Sequence, residues 1–144
     1  MMKRKQTVIV LAILAVILVL ELLPYGAVLH FANPEGEPFR EIFSYFDLTP
    51  YGYANFGPFI TAILTCVLLV LSVIKLFVDK GEKAIKIISI IALITSLMPL
   101  LVNCYSMIGG AISILLLAVF IISLTKKMWA CKNFSVVTES YSNK

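Results

Sequence analysis

The stretch that decides the fold is IISIIALITSLMPLLVNCYSMIGGAISILLLAVFIISLT, residues 87–125, which holds no Asp, Glu, Lys or Arg in 39 residues. As one helix it would be about 58 Å long, nearly twice a hydrocarbon core of about 30 Å. It must therefore turn back on itself. Pro99, Asn103 and Gly109-Gly110 mark where. Two spans result, near 84–102 and 107–125, joined by Asn103-Cys104-Tyr105-Ser106, with Pro99 kinking the first of them near its end.

Two more spans precede these. The turn Asp79-Lys80-Gly81-Glu82-Lys83 closes an apolar run from Gly57 to Val78, in which Pro58 suits a first helical position. Further back, Val8 to Leu23 follows the basic cluster Lys3-Arg4-Lys5. This run is long for a signal peptide, and Pro24, Tyr25 and His30 fall where cleavage wants small residues, so an uncleaved span is expected. The expected spans are 7–24, 58–78, 84–102 and 107–125 of a single membrane domain comprising residues 1–144.

Composition agrees. Apolar residues make up 60% of the 144 and charged residues 14%, with a mean hydropathy of +0.99. Soluble domains average about 45–50% apolar and about 25% charged. A soluble enzyme, a disordered tail and a nucleic-acid module are excluded. Cys66, Cys104 and Cys131 have no paired spacing, which argues against a disulfide framework, a zinc site and thiol redox chemistry.

The net charge of +4 is distributed as a topology signal. With four spans, the side holding both termini carries eleven of the twelve basic residues and three acids; the other side carries Arg40 and five acids. The positive-inside rule then places both termini in the cytoplasm. Trp129 is expected as a headgroup anchor there, and the cytoplasmic tail, 126–144, is expected to fray from Lys132. Short loops favour a bacterial plasma membrane.

The outer segment, 25–57, is too long for a turn. Ten of the sixteen aromatic residues lie between Tyr25 and Phe59, and five of the six prolines between 24 and 58, which argues for an ordered segment. Phe39, Ile42, Phe43 and Phe46 fall at helical spacing, so Glu37–Asp47 reads as a short amphipathic interfacial helix ended by Thr49-Pro50. Phe39, Arg40, Phe43, Phe46, Tyr51, Tyr53 and Phe56 form the expected interaction or lid surface. The plainer reading is an aromatic belt at headgroup depth.

Polar groups within the spans are few. Glu21, in the last turn of the first helix, is the one carboxylate inside an apolar run. It is read as a buried or coupling charge, either paired with Arg40, proton- or cation-coupled, or solvated at the interface. Small four-helix multidrug exporters also carry a glutamate in helix one, but at mid-membrane and with short loops, so the resemblance is of helix count only. Gly57, Thr61 and Thr65, then Ser89, Ala92 and Ser96, and finally Gly109 and Ser113 form small-residue stripes suited to helix packing. Lys75 can snorkel to the phosphates.

The sequence thus predicts an all-α, four-span bundle capped by an aromatic segment with one interfacial helix. No catalytic constellation, cofactor motif, metal cluster or nucleic-acid signature is present. The expected role is non-enzymatic: an accessory or regulatory subunit in the plasma membrane, acting by association with the lipid bilayer and with a membrane-protein partner or in a homo-oligomer. The alternative is a small homo-oligomeric transporter or flippase-like permease using Glu21.

Overall fold

The computed structural model describes residues 2–31, 36–37, 39–52, 55–78, 81–101 and 103–142, with the side chains of 2–3, 51–52 and 125–142 left aside. In chain order the elements are α1 (Met2–Leu22), β1 (Ala27–Phe31), β2 (Phe39–Phe43), α2 (Thr49–Gly52), α3 (Gly57–Phe77), α4 (Glu82–Leu101) and α5 (Met107–Ser142). Four helices are long and apolar enough to cross a membrane, over Arg4–Leu22, Gly57–Phe77, Glu82–Leu101 and Met107–Leu124. The chain is a mostly helical, multi-pass bundle.

The four helices form a ring. α1 packs on α3 and α5, and α4 packs on the same two. Each contributes a seam of buried positions at alternating spacings of three and four. On α1 the seam is Thr7, Val10, Leu14, Ile17 and Glu21; on α3 it is Pro58, Thr61, Thr65, Leu68 and Ser72. α4 adds Ile85, Ser89, Ala92, Ser96 and Pro99, and α5 adds Gly109, Ile112, Leu116, Val119 and Ser123. A repeat averaging three and a half residues is that of helices crossing at about 20°, with ridges interlocked. Leu14, Ile17, Leu68, Leu116 and Val119 make the middle of the bundle apolar, while hydroxyls collect toward both ends.

The faces turned away from the seam carry Val16, Val19, Ile63, Val70, Ile94 and Ile114, all exposed. Between helices in lipid, small residues and hydroxyls help association because the acyl chains are as apolar as leucine. The inward faces are accordingly more polar than the outward ones.

The segment between α1 and α3 differs from the expected interfacial helix. Phe39–Phe43 is a strand paired antiparallel with β1, in the register Ala27↔Phe43, Leu29↔Glu41 and Phe31↔Phe39. The spacing of Phe39, Ile42 and Phe43 suits a helix, but a helix this short is marginal alone. The hairpin instead satisfies the backbone of both segments, and Val28, Leu29 and Phe31 supply a β-prone partner. Gly26 N–H extends the pairing by donating to Phe43 O at 3.1 Å. The Phe31 and Phe39 rings stack at 5.3 Å.

Thr49-Pro50 opens a single turn, α2, where the end of a helix was expected. Asp47 Oδ1 accepts from the Thr49 backbone N–H at 2.9 Å and from its hydroxyl at 2.8 Å. At the far end, α5 runs on through the expected tail to Ser142. The side chain of Trp129 lies outside the described residues. Asn103 turns α4 into α5 with φ 55°, a conformation that Asn tolerates better than most residues, and Cys104 N–H caps Pro99 O at 2.9 Å.

Candidate functional site

Where α1 ends under the hairpin, its last carbonyls need donors. Tyr45 provides one, its N–H donating to Glu21 O at 3.1 Å. The Tyr45 ring is buried over Gly26: a Cβ on that glycine would stand 2.6 and 2.8 Å from the ring carbons Cδ2 and Cε2. Tyr45 therefore fastens the hairpin to the bundle. Burial raises its phenol pKa well above the ordinary value, and the nearby Glu21 carboxyl and Tyr105 phenol push it the same way.

Glu21 is fully buried, at 0% exposure. Its Oε1 accepts from Thr65 Oγ1 at 2.9 Å, and its Oε2 has no hydrogen-bond partner among the described residues. Thr65 and Thr61 lie one turn apart on α3, and Thr61 Oγ1 donates to Gly57 O at 2.7 Å with Thr95 Oγ1 of α4 3.1 Å away. On the far side of the ring, Tyr105 Oη donates to Ser113 Oγ at 3.1 Å, and Ser113 Oγ lies 3.1 Å from Ser96 Oγ. Ser106 Oγ donates to Gly26 O and accepts from Gly109 N–H at 2.9 Å, joining the α4–α5 turn to the base of the hairpin. Side chains from every spanning helix thus form a polar tier beneath the hairpin.

Two of the readings of Glu21 do not hold: it is not solvated at the interface, being wholly enclosed, and it does not pair with Arg40. Arg40 sits on exposed β2 opposite His30, whereas Glu21 is enclosed below the hairpin and bonds to Thr65. The strand explains this, because it carries Arg40 away from the end of α1 along the sheet. Among the described residues no three of His, Cys, Asp and Glu converge on a point where they could hold a metal.

The eight residues expected in helix packing, Gly57, Thr61, Thr65, Ser89, Ala92, Ser96, Gly109 and Ser113, are all buried. Gly57 is the tightest. A Cβ there would stand 2.7 Å from Pro99 Cδ and 2.8 Å from Thr95 O. Thr95 O is the carbonyl that would accept from residue 99 in an unbroken helix, and Pro99 has no N–H to give. Gly57 lets α3 close over that gap.

The expected interaction surface is divided. Phe39 is 48% exposed and Phe56 41%, Phe43 is half-buried, and Phe46 packs on the core. Tyr53 and the side chain of Tyr51 lie outside the described residues. Ile42 joins the exposed set at 51%. Every residue of β2 is exposed or half-exposed, while Ala27, Val28 and Leu29 of β1 are buried.

Thr7, Tyr45, Asn55, Ser72 and Ser123 are buried polar residues that the sequence did not single out. Asn55 Nδ2 donates to Val28 O at 3.4 Å, while Asn55 Oδ1 and Ser72 Oγ lack partners among the described residues. Ser72 lines a small cleft of about 30 Å³ at the terminal end of the bundle, with Gln6, Thr7, Lys75 and Ser123. That volume is room for one or two waters. No protein family, curated protein or solved structure matches this chain.

Proposed function

We propose that this protein is a non-enzymatic accessory or regulatory subunit that acts by association within the plasma membrane. One observation carries the reading: the exposed strand β2 is hydrogen-bonded edge to edge with β1, whose Ala27, Val28 and Leu29 are buried, so that Phe39 and Ile42 are held exposed on the two faces of an anchored hairpin. Rigidly presented aromatic and aliphatic side chains are what interface anchors need, since little ordering entropy is lost on docking. Both termini are cytoplasmic in this reading, supported by the eleven basic residues on their side against Arg40 on the other.

Extraction in a mild detergent, followed by mass spectrometry, tests it. A stoichiometric protein partner is expected with the parent chain and is lost in Phe39→Ser, which leaves the bundle intact. A clean homo-oligomer without a partner would overturn it.

A second reading, a small homo-oligomeric permease, draws on Glu21. A fully buried carboxyl, one oxygen of which has no partner among the described residues, is an unusual group to keep within an apolar helix. Coupled flux in liposomes that is abolished by Glu21→Gln would establish it.

A further inference from the structure

Beside the hairpin lies an open groove of about 500 Å³, walled by Arg40 and Ile42 of β2, Tyr25, Tyr105, and Met107 and Ile108 at the start of α5. Its size falls within the range of small-molecule sites. Its depth is defined by the spans: α1 ends its span at Leu22, and the last span begins at Met107. The groove therefore lies at the level where a bilayer changes from acyl chains to headgroups.

The lining changes character across that level. Met107 is 96% exposed and prolongs the lipid-facing surface of α5, while Ile108, half-buried against the core, lines the groove beside it. Tyr25 and the Arg40 guanidinium line the groove with them, while the Tyr105 ring turns down along α5 beside Gly110, its hydroxyl reaching Ser113. Arg40 is the sole Lys or Arg between Lys5 and Lys75, and it makes no ion pair among the described residues. Its rung partner is His30, and Val28 and Ile42 fill the next rung on the same face. A guanidinium forms paired hydrogen bonds with phosphate oxygens. Tyr25, 59% exposed, is of a residue type that favours headgroup depth, where ring and hydroxyl meet different surroundings.

We propose that this groove holds one phospholipid, its phosphodiester on Arg40 and the head of an acyl chain against Met107 and Ile108. The occupant is a membrane lipid because a cation and an apolar ramp are joined at the depth where a phosphate and a chain are joined. A zwitterionic phospholipid is the probe to use, since its phosphodiester can meet Arg40 without bringing a net charge.

The test uses the full chain, delipidated in a maltoside detergent and titrated with phosphatidylethanolamine or with a galactosyl diacylglycerol of the same chains. A saturating rise in Tm near one lipid per chain is expected with the phospholipid alone, and native mass spectrometry should show that lipid retained. Arg40→Gln should weaken half-saturation about tenfold without altering the lipid-free Tm, and Arg40→Lys, which keeps the charge but not the paired geometry, should restore only part of it. Equal stabilisation by the galactolipid would overturn the proposal, as would a normal response of Arg40→Gln. An equal shift with inorganic phosphate would also overturn it, by making the groove a free-anion site.

Discussion

The Thr65 hydroxyl stands 2.9 Å from Glu21 Oε1 and 3.0 Å from the carbonyl of Thr61, so one proton faces two acceptors on two helices. When it goes to Glu21, α1 and α3 are joined by a buried hydrogen bond; when it goes to Thr61, neither carboxyl oxygen has a donor.

Thr65→Val should therefore cost about 1–3 kcal/mol, because it leaves a buried carboxyl without its donor. Thr65→Ser keeps the hydroxyl and should cost less. Equilibrium unfolding of the purified chain, by denaturing detergent or heat, measures both. Equal losses for the two variants would mean that the threonine methyl, not the hydroxyl, is what matters.

Two glycines should be intolerant of a single methyl. Gly57→Ala drives a Cβ onto Pro99 and the Thr95 carbonyl, and Gly26→Ala drives one into the Tyr45 ring. Each should destabilise by about 1–3 kcal/mol, the usual cost of overpacking. Gly110→Ala is the control, since its Cβ would meet Tyr105 at an ordinary 3.4 Å. Near-ultraviolet circular dichroism should report the Gly26 change through Tyr45.

Reversing both members of the pair expected from sequence should give no rescue. Glu21→Lys places an ammonium in an enclosed site whose listener is Thr65, and Arg40→Glu alters an exposed strand residue. The double variant should be as unstable as Glu21→Lys alone, by the additivity that separated sites show. Recovery of expression or Tm in the double variant would show that the two groups meet after all.

At high pH the hairpin should loosen from the bundle. The Tyr45 phenol has a raised pKa in the fold, so its contribution is fully present below the ordinary phenol value of 10.0 and is lost as pH rises above it. Tyr45→Phe should remove this alkaline limb, measured by ultraviolet titration of tyrosinate alongside Tm. Asp47 behaves in the opposite sense. The Thr49 backbone N–H, and then its hydroxyl, hold the Asp47 carboxyl below its ordinary range. Its small, exposed contribution is present above the ordinary value of 3.8 and fades as pH falls below it, which Asp47→Asn should abolish.

The spanning helices were legible because bilayer thickness converts run length into topology. A charge-free stretch of 39 residues has to fold back whatever its details. The seams were legible only where small residues mark them, as in Ser89, Ala92 and Ser96. On α1 the seam passes through Val10, Leu14 and Ile17. Their outward neighbours are equally aliphatic, so periodicity gives no contrast there.

The hairpin was hidden for another reason. Phe39-Arg40-Glu41-Ile42-Phe43 fits a helical stripe and breaks strand alternation, since Glu41 falls between Phe39 and Phe43 on one face and Arg40 beside Ile42 on the other. The arbiter is Ala27–Phe31, distant in the chain and inconspicuous until paired. Glu21 could be singled out as the lone intramembrane acid, but its partner could not. Charge suggested Arg40; geometry supplied an uncharged hydroxyl on α3. Tyr45 stood among ten aromatics of its segment with nothing to distinguish it except the space that Gly26 leaves for its ring.

The seam of hydroxyls, with aliphatic side chains facing outward, has a calorimetric consequence. When these helices separate within a bilayer, Thr61, Thr65, Ser89 and Ser96 meet acyl chains, and little apolar surface is newly wetted. Heat-capacity increments on unfolding arise from the hydration of apolar surface. Separation of this bundle in lipid should thus carry a small increment, and its stability should fall almost linearly with temperature, without the domed curve and cold-side instability of a protein whose core is hidden from water.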